Sequence, residues 1–387
     1  MYERVQKFRT QAGFTIGSTY KIDLPAQGSL SWLAYTIEAS QAAGAPFQSS
    51  AVGKWRIVDE ISNVIIRANG RSDIVNVPGR ILNYLTFLDQ KLPAYDRIRE
   101  YSAASQIARG RVNFGRYMWD PLFVLDLAQF DNIEFNLTNT MSSTYWGTSP
   151  TVTIELGFLD GVGKPAGTKF FRKELWRTYT TAQDGREYLE LPTGLPIRRV
   201  GLQADSALDA TYGTADTAIR NLLYDIKMSF KSGQVIPFDG RFEDLYHHIL
   251  FEKGVLPMTF GAVYHTADYG WRSGIGDVRA FAAISGARDG AVSATIPTRE
   301  GDNSNDIQKL EAYEGDSPVD WIAFGAAYEN CVHFDFGKNY PELPLLDASR
   351  TGEGVVELEL HTRNSSSAAS GTIRAFYDRL AGVSDVG

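Results

Sequence analysis

Any chemistry done by this chain would have to come from a short set of residues. The five histidines are His247, His248, His265, His333 and His361. Only His247 and His248 are neighbours, and adjacent residues share a face on neither a helix nor a strand, so they form a poor two-ligand metal site. Cys331-Val332-His333 puts a thiol and an imidazole on one side of a strand. A lone cysteine in an apolar, aromatic stretch reads as a core residue. Asp302, Asp306, Glu311 and Glu314 supply carboxylates for Ca²⁺ but lack EF-hand spacing, and read as a solvated face. The patterns HExxH, GxSxG, GxGxxG and GxxxxGK[ST] do not occur, so zincin, α/β-hydrolase, dinucleotide and P-loop chemistry have no support. Asn136-Leu137-Thr138 fits a glycosylation sequon, idle without a secretory signal. The expectation is a protein with no catalytic residues, no metal and no cofactor, and so not an enzyme.

The elements that would position such residues are mostly strands. The 387 residues allow two or three domains at roughly 150 residues each. An apolar share of 43% and a charged share of 22% exclude a disordered or collagenous chain. A net charge of −8 leaves no electrostatic footprint for nucleic acid. One cysteine cannot close an intrachain disulfide, so stability must come from packing. No run reaches the roughly 18 apolar residues that span a bilayer, and the start MYERVQKFRTQAG lacks a signal peptide's apolar core, which points to synthesis in the cytosol.

Period-two alternation marks strands at Asn132 to Thr138, Val152 to Leu156, Tyr224 to Phe230 and Val356 to Leu360. Ala68-Asn69-Gly70-Arg71 and Lys231-Ser232-Gly233-Gln234 read as hairpin turns. Helices are few: Met1 to Thr10, Arg80 to Lys91 and Arg241 to Lys253. The class is mostly β, with a sandwich, a barrel or a jelly roll as the options.

The chain also echoes itself. Ile22-Asp23-Leu24-Pro25 with the stretch Leu30 to Ile37 resembles Leu189-Glu190-Leu191-Pro192 with Ile197 to Ala204, and the prolines lie 167 apart. Ile61 to Ala68, Gly70 and Gly79-Arg80 resemble Tyr224 to Phe230, Gly233 and Gly240-Arg241, at offsets of 163 and 161. Leu125-Asp126 and Ile133 to Leu137 resemble Leu346-Asp347 and Val356 to Leu360 at offsets of 221 and 223. Thr153 to Leu156 resembles Thr372 to Ala375 at 219. Two unrelated sandwiches could share any one such match, but the shared order favours one β-unit encoded twice. Arg80 to Leu125 spans 45 residues and Arg241 to Leu346 spans 105, so the second copy carries some 60 extra residues, read as loops around 245–345. The stretch GVGKPAGT, Gly161 to Thr168, reads as the linker.

The segments TYKIDLPAQGSLSWLAYTIEA, NVIIRANGRSDI and FVLDLAQFDNIEFNLTNT with TVTIELGFLD, and their counterparts EYLELPTGLPIRRVGLQA, YDIKMSFKSGQV and LLDASRTGEGVVELELHTRN with GTIRAFYDRL, resemble the double jelly-roll major capsid proteins of tailless icosahedral viruses. The family includes membrane-containing double-stranded DNA bacteriophages and the adenovirus lineage. The resemblance implies an all-β chain of two tandem eight-stranded jelly rolls: an amphipathic arm over 1–15, a first roll over 16–163 and a second over 164–387. It further implies a homotrimer of pseudo-hexagonal outline, since three two-roll chains present six similar sandwiches around one axis. Its partners would be further copies, neighbouring capsomers, vertex and minor capsid proteins and an internal lipid membrane, and its place the virion capsid, after synthesis in the host cytoplasm.

Two groups of residues follow as site expectations. Arg4, Lys7 and Arg9 against Glu3 give the first ten residues a net +2, and Val5 and Phe8 lie three apart on one helical face, as in an arm facing lipid inside the shell. Tyr264, Tyr269, Trp271 and Trp321 of the insertion would lie in the trimer interface or in an outward tower. Two rival readings are a β-sandwich that binds or hydrolyses glycans, for which no carboxylate pair stands out, and a trimeric receptor-binding spike, for which no fibrous repeat is visible.

Overall fold

A computed structural model of the chain describes residues 1–42, 56–100, 105–147, 149–161, 169–181, 185–206, 216–217, 222–230, 233–254, 257–263, 274–283, 292–295, 307–312, 319–337, 345–347, 356–362 and 371–386. One eight-stranded unit occurs twice. In the first roll the strands are, in chain order, Tyr2–Ala12, Thr19–Asp23, Ser29–Ser40, Ile61–Ala68, Ser72–Val77, Ser105–Asn113, Ile133–Asn139 and Thr151–Asp160. In the second they are Lys169–Thr180, Arg186–Glu190, Ile197–Ser206, Leu223–Phe230, Val235–Arg241, Cys331–Asp335, Glu357–Thr362 and Gly371–Gly382. Counted this way, both rolls pair their strands in the same two orders, first-eighth-third-sixth and second-seventh-fourth-fifth. The fold is a double jelly roll.

Alternation builds each sandwich. From one sheet of the first roll Leu33, Tyr35, Ile37, Val152, Ile154 and Leu156 point inward, and from the other Val64, Ile66, Phe135 and Leu137 meet them, all at 1% exposure or less. Val200, Leu202 and Ile373 face Ile226, Met228, Leu358 and Leu360 in the second core. The turn at Asn69 (φ 52°) and Gly70 (φ 67°) joins two strands of the first roll. Two consecutive positive φ values make this the hairpin turn whose twist matches its strands, which Asn-Gly adopts at least cost. The expected turn at Lys231 and Ser232 lies outside the described residues, although Gly233 has φ 88°.

The echoes fall on equivalent positions. Leu125 pairs with Leu30 and Leu346 with Ile197, and both Leu30/Ile197 and Pro25/Pro192 stand 167 apart. Two echoes are exceptions: the Gly-Arg pairs, and the eighth strands, where Ile154 opposite Tyr35 matches Ala375 opposite Leu202, an offset of 221 rather than 219. Helix α1, Gly79–Gln90, and helix α2, Phe242–Lys253, each follow a fifth strand and start 163 apart, which puts the two Gly-Arg pairs two residues out of register. Both helices end in a left-handed residue, Lys91 and Gly254.

Two expectations are overturned. Met1 to Thr10 is strand rather than helix, because residues 2–12 hydrogen-bond along Thr151–Asp160. The helical spacing of Val5 and Phe8 is broken by a β-bulge at Phe8, between Lys7 and Arg9. The second roll's insertion is not only loops: Met258–Val263, Ile275–Ala283 and Val319–Tyr328 form a sheet with Ile98–Glu100 of the first roll, while Val292–Thr295, Ile307–Ala312 and Asp216–Thr217 form another. The window Val319–Tyr328, VDWIAFGAAY, is apolar at almost every position and so shows no alternation.

Candidate functional site: the junction between the rolls

The fifth strand of the first roll lies parallel to the first strand of the second, with Val75 opposite Lys173 and Asn76 opposite Glu174. This pairing fuses half of each roll into one eight-stranded sheet. α1 then lies over the outward face of the second roll's first sheet. Its Arg80, Tyr84 and Phe87 share one helical face. Tyr84 packs against Phe376 with 6.3 Å between ring centroids, and Phe87 against Tyr328 at 5.3 Å. Phe376 is folded across Gly201, where any Cβ would come within 2.1 Å of the ring. Glycine at 201 is therefore what lets α1 sit this close.

Two charge clusters flank the aromatic contact. In one, Glu329 accepts from Arg56 at 2.7 and 3.0 Å and from Arg80 at 3.1 Å, and Asp59 accepts from Arg56 at 2.9 Å. Asp205 of the second roll accepts from both Arg80 and Arg374. In the other, Asp89 of α1 pairs with Arg199 at 2.6 Å and Arg198 at 3.1 Å. Arg198 also pairs with Asp378 at 3.2 Å and Arg199 with Asp335 at 3.3 Å, and Lys173 Nζ donates to the Asn113 carbonyl at 2.7 Å. Arg56, Arg80 and Arg374 balance Asp59, Asp205 and Glu329, while Lys173, Arg198 and Arg199 balance Asp89, Asp335 and Asp378. Charges this deeply buried persist only when so matched.

Titration follows the same logic. Burial works to raise the Asp89 carboxyl, but Arg198, Arg199 and Lys173 outweigh it and hold the group below its ordinary value. Burial disfavours the Arg199 cation, yet Asp89, Asp335 and Asp378 keep it above its ordinary value. Asp96, after α1, is pushed up to about 7, first by burial and then by the nearby Glu329, with Arg56 opposing. Burial lifts the Cys331 thiol well above its usual range, and its Sγ lies 3.3 Å from the Glu329 carbonyl that it donates to. His333 Nδ1 is 2.9 Å from the Tyr84 hydroxyl, so the Cys331-Val332-His333 stretch is used in packing the junction. No group of three or more His, Cys, Asp or Glu side chains suited to a metal occurs among the described residues.

The residues expected to be functional scatter. Arg4, Val5, Lys7, Phe8 and Arg9 occupy the outermost strand of the first roll, Arg4 paired with Asp160 at 2.7 Å and stacked 4.4 Å from the Phe158 ring. The helical amphipathicity argued for a lipid-facing arm falls with the helix. Tyr264, Tyr269 and Trp271 lie outside the described residues. Trp321 stands in Val319–Tyr328, opposite Gly261 on one side and Ala283 on the other. Beside it in the fold is an exposed apolar patch in which Tyr95 and Phe260 meet at 6.4 Å, with Leu92 and Met258 also exposed.

Sequence reasoning missed the buried charges and one further echo. The signal for the charges was ionic residues inside apolar strand windows: Arg198-Arg199 in PIRRVGL and Asp378-Arg379 in AFYDRL. The echo is Arg4 to Thr10, RVQKFRT, against Arg172 to Thr178, RKELWRT, with the bulge at Phe8 in one and at Trp176 in the other.

No protein-family model and no curated sequence matches the chain. Solved structures do. The STIV MCP superimposes with a TM-score of 0.56 at 11% identity, over 98% of this chain and 96% of that one. The major capsid protein P2 from bacteriophage PM2 gives 0.51 at 10% identity, over 98% of both chains. The PBCV-1 virus capsid gives 0.54 at 9% identity, over 98% of this chain and 94% of that one. The chain shares the fold of these double jelly-roll capsid proteins, with matches that cover 98% of it.

Proposed function

We propose that this chain is a structural major capsid protein, three copies of which form a pseudo-hexagonal capsomer of an icosahedral virus shell. The observation that carries the reading is the repeated strand order of the two rolls, joined side by side through one continuous sheet. Two like modules per chain and three chains per ring give the six-fold outline that such a lattice position needs. The fold shared with capsid proteins of PM2 and PBCV-1 supports it. The division between rolls falls in 161–168, with the first strand, residues 2–12, belonging to the first roll's sheet. The working contacts are with other copies, then with neighbouring capsomers and with vertex and minor capsid proteins, in the virion. Turnover of a substrate is no part of this role, and the similar structures favour neither a glycan-binding nor a spike protein. No helix among the described residues is long and apolar enough to cross a membrane.

Light scattering on the purified chain tests the reading. The expected species is a trimer, three times 42.8 kDa or about 128 kDa. Electron microscopy of concentrated trimer is expected to show hexagonal plates or shells, and a stable monomer at those concentrations overturns the assignment.

A further inference from the structure

The junction between the two rolls is built from few parts. It uses three elements: the fifth strand and the following helix of the first roll, and the first strand of the second. Their counterparts are the fifth strand and following helix of the second roll, Val235–Arg241 and Phe242–Lys253, and the first strand of the first, Tyr2–Ala12. The strand Tyr2–Ala12 has a partner on one side only among the described residues, and so does Val235–Arg241. Shared bulges align the first strands at an offset of 168, so Tyr2 corresponds to Phe170 and Val5 to Lys173. Phe170 and Lys173 are only 0% and 1% exposed in the junction, whereas Tyr2 and Val5 are 65% and 60% exposed. The helix starts align the fifth strands at 163, so Phe238 corresponds to Val75 and Asp239 to Asn76. On the helices Leu88, 4% exposed, corresponds to Phe251, 87% exposed.

We propose that the exposed fifth strand of one copy's second roll, Val235–Arg241, pairs in parallel with the exposed first strand of a second copy's first roll, Tyr2–Ala12. Val5 then stands opposite Phe238, and Gln6 opposite Asp239. α2 lies over the outward face of the second copy's first sheet as α1 lies over that of its own second roll. This brings Glu243, Asp244 and Glu252 toward a face that carries Arg111, stacked on Trp32, and Arg109, paired with Glu155 of the same face. The contact is heterologous, one copy's tail on the next copy's head, so three copies close a ring in which internal and intersubunit junctions alternate. It rests on the trimer reading and adds to it which edges meet and in what register.

Paired cysteines test the register. A chain carrying both Val5→Cys and Phe238→Cys, treated with a short bis-maleimide, is expected to give covalent species of two and three chains on a denaturing gel and none larger. The parent, whose Cys331 is buried, is expected to give none. A chain that scatters as a trimer but does not cross-link refutes the strand pairing and leaves the trimer standing. A monomer refutes both. Dimers from Val5→Cys alone mean two first strands meeting each other, which also refutes the pairing. Charge supplies an independent arm: Gln6→Glu puts two carboxylates opposite each other and should weaken the trimer roughly tenfold, and Asp239→Lys in the same chain should restore it. Failure of Asp239→Lys to rescue counts against the proposed register.

Discussion

The strands Tyr2–Ala12 and Lys169–Thr180 hold the same place in the same fold, carry the same bulge and share the sequence RxxxxRT, yet Tyr2 and Val5 are open to solvent where their counterparts Phe170 and Lys173 are buried. What differs is the neighbour. Lys169–Thr180 lies against the first roll's fifth strand, so Phe170 packs near Phe130 with 6.5 Å between centroids and Phe171 near Phe123 at 5.1 Å. The outward face of each roll's first sheet diverges in the same way. The second roll fills it with Arg199, Asp205, Arg374 and Asp378, all matched by charges at the junction. The first roll fills it with Trp32 beneath Trp119 and Arg111. A duplicated module thus keeps its pairing order and varies its surfaces.

The strongest way to break the junction is to strand a buried charge. Asp89→Ala removes the carboxylate shared by Arg198 and Arg199 and is expected to cost about 3–5 kcal/mol, read as loss of soluble protein or a steep fall in denaturant midpoint. The double variant Asp89→Asn with Arg199→Met should recover a substantial part of that cost, because the unmatched cation leaves with its partner. No recovery would mean the cluster is not coupled as the distances indicate.

The two first strands give the next contrast. Phe170→Ala empties a fully buried site and should cost about 3–5 kcal/mol of folding stability. Its counterpart Tyr2→Ala should leave the isolated chain within about 0.5 kcal/mol of the parent and lower only the fraction of trimer seen by light scattering. Equal effects on monomer stability would show that the two strands are not in different environments.

Much of this architecture was legible in the sequence because period-two alternation and Asn-Gly turns are local signals. Ile133, Phe135 and Leu137 announce their strand without help from any other residue. The duplication was legible too, since equivalent turns keep equivalent residues, as at Leu125 and Leu346. The junction was not. Its charges come from 56, 59, 80, 89, 173, 198, 199, 205, 329, 335, 374 and 378, and only the fold brings them together. The first strand was misread for a related reason: Tyr2–Ala12 borrows its β geometry from Thr151–Asp160, some 150 residues away, and its own polar face offers no alternation to read. Long-range pairing leaves no local trace at an edge.

The pH response of the junction is a smaller effect. The Asp96 carboxyl titrates at about 7 in the fold against an ordinary 3.8. The folded chain therefore holds a proton there that the unfolded chain has released, and this group's contribution is largest below pH 3.8 and is lost as pH rises toward 7. Asp96→Asn keeps a neutral amide at every pH. It should flatten the stability profile over that window and make the variant more stable than the parent at pH 8, by on the order of 1 kcal/mol. Denaturant titrations at pH 5 and pH 8 read this directly, and an unchanged slope would place the carboxyl in contact with water.

The smallest contrast is between Arg4 and Arg172, equivalent arginines on the two first strands. Arg172 pairs with Glu174 at 2.6 Å beside the junction and its side chain is mostly covered, so Arg172→Ala should cost about 1 kcal/mol. Arg4 makes its pair with Asp160 in open solvent, where water and salt screen the attraction and the long side chain gives up rotamer freedom to hold it. Arg4→Ala should therefore leave the melting temperature of the isolated chain unchanged within error, at low and at high salt alike. Should Arg4→Ala instead lower the melting temperature of the trimer in a salt-dependent way, while leaving the monomer untouched, the guanidinium is shielded from water only when a second copy covers the strand. That outcome would sharpen the comparison, because it would show the open first strand acquiring on assembly the environment that its counterpart has within the chain.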